Sequence, residues 1–236
     1  MLIDFHAHTS GISRCCRIPA PQVLKEARKT GLDGIVLTNH YQKNYIENGD
    51  VSGFVCRYMD EIHYTQKLAE EMGMRGFWGI EVTMERYPTV HLLIYGVGED
   101  FLAKHPLVFD MTHEELWNTV KQEGGVLIHA HPFRGEGTVM DYRLLDGVEI
   151  NCHPLYGNTH SKELLDIAQA HMLTVTCGGD YHADTYRPRC GVYLPDTIEN
   201  SLELGRYLAE TKETALCVHE IGADEPENIL YRKTEE

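Results

Sequence analysis

The chain has 236 residues, a formal net charge of −15, 42% hydrophobic residues and 24% charged ones. Such a length and balance fit one globular domain with a sizeable core, and the negative charge argues against sequence-independent binding to long nucleic acid. No apolar run approaches the ~20 residues of a membrane span, no secretory leader is visible, and seven cysteines without a Cys-x-x-Cys pair make a disulfide framework unexpected and a reducing cytoplasm the expected compartment.

In chain order, residues 2–8 read as a first strand. A helix follows over 21–30, with Pro19 and Pro21 near its start and Gly31 past its end. Residues 34–38 form a short apolar strand of the kind buried on both faces. A long helical pattern covers 54–72 and stops at Gly73. Strands at 77–83 and 91–97 flank a turn containing Pro88. The helix at 111–123 has Thr112 as N-cap and Glu115 three residues later, the pattern of a capping box. Apolar strands are expected at 125–130, 148–152 and 173–177, helices at 161–170 and 201–211, and a last strand at 215–218. Residues 1–221 are expected to form a single domain, and 222–236 a charged, frayed tail. This alternation predicts a mainly parallel sheet covered by helices, an α/β protein best built as a closed or distorted β/α barrel. Barrels gather reactive groups at the C-terminal ends of their strands.

The histidines and acids can be set against that rule. Asp4, His6 and His8 lie two apart, so a strand puts them on one face. The second strand ends in His40. Glu81 sits near the end of the next, and the turn after it brings His91 back beside Glu81. His129 and His131 close one strand, Glu149, Asn151 and His153 another, and Asp180 and His182 follow a pair of glycines. Each histidine alone reads as a structural residue. Their convergence at one end of a barrel reads as a metal site. Imidazole and carboxylate ligands suit Zn, Mn or Fe, and open coordination positions make such a site catalytic.

In this set and order the pieces DFHAHT, LTNH, GIE, HLLIYG, HAHP and GGDYH, spanning residues 4 to 182, resemble the PHP (polymerase and histidinol phosphatase) superfamily of metal-dependent phosphoesterases. The resemblance implies a distorted (β/α)7-type barrel carrying two or three divalent ions. Carried over residue by residue, it puts His6, His8, Glu81 and Asp180 on one ion. Glu81 bridges to a second held by His91 and His131, and His40 and His182 hold a third. His131 matches the family histidine because it precedes Pro132, which leaves His129 as an outer-shell group.

The implied activity is hydrolysis of a small phosphomonoester or phosphodiester, of nucleotide or sugar phosphate type, by a metal-bridging hydroxide. Among arginines that could bind the phosphoryl group, Arg134 ranks first, ahead of Arg14, Arg17 and Arg187. Catalytic roles fall to Glu81, Asp180, Arg134 and His182. His182 or His40 protonates the leaving alkoxide if the third ion is absent. Two departures from the family stand out. The stretch SGISRCCRI lacks the usual Asp or His, so Arg14 is expected to place positive charge at the third position, with Cys15 as thiolate ligand the competing account. Asn39 replaces an outer-shell aspartate. The alternatives are histidinol-phosphate phosphatase, a TatD or amidohydrolase-like metal hydrolase, and a non-catalytic metal-binding regulatory domain.

Overall fold

The computed structural model describes residues 1–134, 140–182 and 188–234. Arg187 lies outside them. Strand β1 (Leu2–Ala7) is followed by α1 (Ala20–Lys29), β2 (Gly34–Leu37) and the two-residue β3 (His40–Tyr41). Helix α2 (Val51–Glu71) leads to the hairpin of β4 (Arg75–Thr83) and β5 (His91–Tyr95). Then come α3 (Phe101–Lys104), α4 (His113–Gln122), β6 (Val126–His129), β7 (Gly147–Asn151), α5 (Ser161–His171) and β8 (Thr174–Gly178). The chain ends with β9 (Gly191–Tyr193), α6 (Ser201–Glu210), β10 (Glu213–Val218) and β11 (Glu227–Arg232).

The order β1-β2-β4-β5-β6-β7-β8 forms the wall of a distorted barrel. β1, β2 and β4 pair in parallel, as do β6, β7 and β8, while β5 runs antiparallel to both β4 and β6. The reversed strand has a functional consequence. The start of β5 lies at the same end as the finish of its neighbours, which delivers His91 to the end where the parallel strands deliver their last residues. The barrel nearly closes where β8 meets β1. There Ala7 bridges Tyr181, and the Asp180 N–H donates to the His6 carbonyl at 2.8 Å. Gly178 permits this approach, since a Cβ there would collide with the His6 Cβ.

Helices cover the wall as their sequence patterns require. α1 turns Ala20, Val23, Leu24 and Ala27 inward, a spacing of three and four that makes one apolar stripe. Each such aliphatic side chain contributes about 1.5–3 kcal/mol on full burial. α2 and its neighbours enclose an aromatic cluster in which Tyr41 packs on Phe54, Tyr58 and Phe109 with ring centroids 5.2–5.7 Å apart. The capping box of α4 forms as expected, Thr112 accepting from Glu115 N–H while the Glu115 carboxylate accepts from Thr112 N–H.

The C-terminal segment corrects an expectation. Within the stretch expected to fray, β11 pairs along its whole length with β10. Tyr231 is buried and its hydroxyl donates to the Leu173 carbonyl at 2.9 Å. Alternation of Ile229 and Tyr231 with outward residues supplies the strand signal, masked in the sequence by surrounding charge. Among the described residues no helix is long and apolar enough to cross a membrane.

Candidate metal centre

Eight side chains expected as ligands arrive at one end of the barrel. His6 and His8 come from the end of β1, His40 from β3, Glu81 from β4 and His91 from the start of β5. His131 follows β6, and Asp180 and His182 follow β8. Register explains much of this. His40 is the strand partner of Glu81. Thr83 is the partner of His91 and Glu81 that of Leu93, so Glu81 and His91 are diagonal neighbours on one face.

Glu81, fully buried, lies at the middle. Its Oε1 is 2.7 Å from His91 Nδ1 and 3.1 Å from His131 Nε2. Its Oε2 is 2.7 Å from His40 Nδ1, 3.3 Å from His8 Nε2 and 3.4 Å from His6 Nε2. Asp180 Oδ1 stands 3.0 Å from His8 Nε2, 3.4 Å from His6 Nε2 and 3.3 Å from His182 Nδ1. Ligand atoms converge in four overlapping groups: His6, His8 and Asp180; His6, Glu81 and His131; His40, Glu81 and His91; His8, His40 and His182. Burial raises the carboxyl pKa of Glu81 and Asp180, but the surrounding imidazoles outweigh it and hold both well below the usual range. For His8, burial prevails and pushes its pKa well below the ordinary value.

Whether this set suits cations can be tested on unsatisfied atoms. Glu81 Oε2, Asp180 Oδ1 and His40 Nδ1 are buried without a hydrogen-bond partner. A buried polar atom left in that way costs about 1–3 kcal/mol. Three such atoms converging on imidazole nitrogens fit divalent ions, which would satisfy all of them.

Outer groups fix which nitrogen faces inward. Glu149, also buried, accepts from His6 Nδ1 at 2.7 Å, from His131 N–H at 3.0 Å and from Asn151 Nδ2 at 3.1 Å. With its proton on Nδ1, His6 presents the Nε2 lone pair to the centre. Ser13 Oγ donates to Asn39 Oδ1 at 2.8 Å, so it accepts from His8 Nδ1 at 3.0 Å. His8 is thereby set in the same tautomer. Asn39 also accepts from Thr9 N–H and donates to Thr9 Oγ1, so the asparagine that departs from the family pattern braces this loop. Asp4 Oδ1 accepts from His6 N–H at 3.0 Å and Gly179 N–H at 2.9 Å, tying the glycine after β8 to β1.

The arginines separate. Arg134 Nη1 lies 3.4 Å from Asp180 Oδ2, with its guanidinium 4.4 Å over the Tyr156 ring. Tyr156 itself donates to Asp180 Oδ2 at 3.1 Å. The expectation that Arg14 supplies charge at the third position is corrected. Its guanidinium turns to the surface, 3.0 Å from Glu47 and 3.2 Å from the Asn44 carbonyl. Cys15 is the residue that turns toward His182 and His40. Burial raises its thiol pKa, but these two imidazoles outweigh that and pull it down to about 6. Arg17 meets the site only through its main chain, donating to the His182 carbonyl at 3.0 Å, and its side chain is exposed. His129 and His153 belong to none of the converging groups among the described residues. Burial drives the pKa of His129 down to about 3.

The sequence placed Glu149 among the acids at the strand ends but gave it no role, and it did not select Ser13 or Tyr156, which nothing in the sequence marks. A cavity of about 240 Å³ opens beside His131, Glu149 and Arg134.

No protein-family model matches the chain, and no curated protein does. Solved structures do. A two-domain protein from Bacteroides vulgatus, named as containing a predicted PHP-like metal-dependent phosphoesterase, superposes with a TM-score of 0.68 at 19% identity, over 93% of this chain and 65% of that one. The present chain thus spans about two thirds of that protein's length. A Bifidobacterium adolescentis protein named as a metal-dependent phosphoesterase gives 0.53 at 20% identity, covering 87% of this chain and 95% of that one. An amidohydrolase from Chromobacterium violaceum gives 0.60 at 15% identity, over 88% and 96%. With eight candidate ligand side chains converging at one end of its barrel, the chain has the fold of these PHP-like proteins.

Proposed function

We propose that this chain is a metal-dependent phosphoesterase acting on a small phosphomonoester or phosphodiester of nucleotide or sugar phosphate type. The observation that carries the reading is the position of Glu81, with one oxygen toward His91 and His131 and the other toward His6, His8 and His40. A carboxylate so placed suits a shared ligand. We assign His6, His8, Glu81 and Asp180 to one Zn, Mn or Fe ion and Glu81, His91 and His131 to a second. His40 and His182, with Cys15 in place of the family's acid, go to a third. When bound, such ions lower the pKa of water and neutralise charge on phosphoryl oxygens.

The chain's own groups do the rest. Arg134, held by Asp180 and the Tyr156 ring, offers a permanently charged fork to a phosphoryl oxygen. His182 Nδ1 contacts the Asp180 carbonyl at 2.6 Å, which puts its proton there and the lone pair on Nε2. Where no third ion binds, protonated His182 can deliver a proton to the departing alkoxide. Glu149 and Ser13 keep His6 and His8 from turning.

The test is elemental analysis of protein prepared without chelator, paired with turnover of a panel of phosphomonoesters and phosphodiesters. About two or more transition-metal ions per chain and metal-dependent phosphate release are expected. Full activity in metal-free protein, or hydrolysis of amides with none of phosphoesters, would overturn the assignment, the latter in favour of amidohydrolase chemistry on the same fold.

A further inference from the structure

The cavity beside the metal centre bears on what the phosphoryl group is attached to. His131, Glu149, Arg134 and Tyr156 line it and also contact groups of the centre, while Phe133 and Leu155 line it as exposed side chains. Eight large hydrophobic side chains are exposed among the described residues, and two of them, Phe133 at 43% and Leu155 at 85%, line this one cavity. Single exposed apolar residues are ordinary; two on one concavity next to reactive groups are not.

Several polar groups along the wall are already engaged. Asn151 donates to Glu149 and accepts from His153 N–H. Asn158 Oδ1 accepts from His160 N–H. The Thr159 hydroxyl donates to Glu220. Beside these polar groups the wall presents apolar surface from Phe133 and Leu155, with the Phe133 ring braced 4.7 Å from that of His160. Among the described lining residues Arg134 is the sole arginine or lysine, and its guanidinium reaches Asp180. Those residues give a second phosphate no further lysine or arginine to meet, and offer a polyol few free partners. The backbone also departs from the ordinary at both ends, with His131 at φ 31° and His160 at φ 53°, positions where side-chain-bearing residues are strained and which cluster at binding sites. The volume, about 240 Å³, falls below the ~300 Å³ at which pockets for drug-sized ligands begin, and suits a single ring system.

We propose that this cavity takes the alcohol portion of the phosphoester and that this portion carries a flat aromatic ring, seated against Phe133 and Leu155 with the phosphoryl group at Arg134. This rests on the phosphoesterase reading for the position of the phosphoryl group alone, and it narrows the substrate class away from simple sugar phosphates. Binding can test it without turnover. Methylphosphonate and benzylphosphonate, which share a head group and differ by a ring, are titrated calorimetrically into the metal-loaded protein. Benzylphosphonate is expected to bind at least about tenfold tighter, the factor given by burying on the order of 60 Å² of apolar surface. That preference should collapse in Phe133→Ala and in Leu155→Ser, with metal content as the check that the centre is intact. Equal affinities for the two phosphonates, a preference that survives both substitutions, or no binding of either would overturn the proposal. Benzyl phosphate turnover is measured in parallel. A benzyl preference in binding with no hydrolysis would leave the cavity assignment standing and remove the phosphoesterase reading.

Discussion

Replacing Glu149 with glutamine probes the centre without touching an assigned ligand. The buried Glu149 side chain offers two oxygens to three donors: His6 Nδ1, the His131 N–H and Asn151 Nδ2, at 2.7, 3.0 and 3.1 Å. Glutamine has nearly the same shape but only one acceptor oxygen. If its amide nitrogen faces His131 N–H and Asn151, two donors lose their acceptor. If it faces His6, the imidazole must move its proton to Nε2, the nitrogen that points at Glu81 and Asp180, and its lone pair leaves the centre. Either arrangement also strands a buried donor, which costs about 1–3 kcal/mol. Outer-shell substitutions of this kind lower metal affinity by roughly 10–100-fold, or about 1.4–2.7 kcal/mol. The assay is competition between apo protein and a chromophoric chelator for Zn or Mn, run beside thermal unfolding of the apo form. Affinity within about twofold of the parent protein, well short of the expected 10–100-fold loss, would refute the claim that Glu149 sets the His6 tautomer.

Other outcomes follow from the same geometry. Glu81→Gln should lower turnover by several orders of magnitude with the fold retained by circular dichroism, whereas His153→Ala should be mild; the reverse ranking would dissolve the shared-ligand assignment. Arg14→Ala should leave metal content and rate within about twofold, since an exposed ion pair is worth only ~0–1 kcal/mol, while Cys15→Ser should lower the metal content counted by elemental analysis. Gly178→Ala should destabilise by about 1–3 kcal/mol through overpacking against His6 and reduce metal loading, both visible in a melting curve taken with and without metal. Tyr231→Ala should cost roughly 3 kcal/mol as a buried aromatic truncation, read from a shifted urea midpoint; an unchanged midpoint would return β11 to the status of a frayed tail.

The sequence by itself placed the candidate ligands that lie on or directly after strands. His6 and His8 share a face because strand side chains alternate with period two, whatever the rest of the chain does. Glu81 and His91 flank a hairpin whose closure is local, and the Thr112–Glu115 cap is complete within four residues. Only the tertiary structure decided matters that depend on contacts distant in sequence. Residues 10–18 have no period, so which of Arg14 and Cys15 lies beside the histidines is set by Glu47, Tyr45, His40 and His182 rather than by the segment itself. Glu149 becomes the bracket of His6 because β7 and β8 bring the barrel round to β1, across a separation of 143 residues. β11 exists as a strand because β10 offers an open edge to pair with, which supplies the backbone hydrogen bonds that a charged six-residue segment could not make alone.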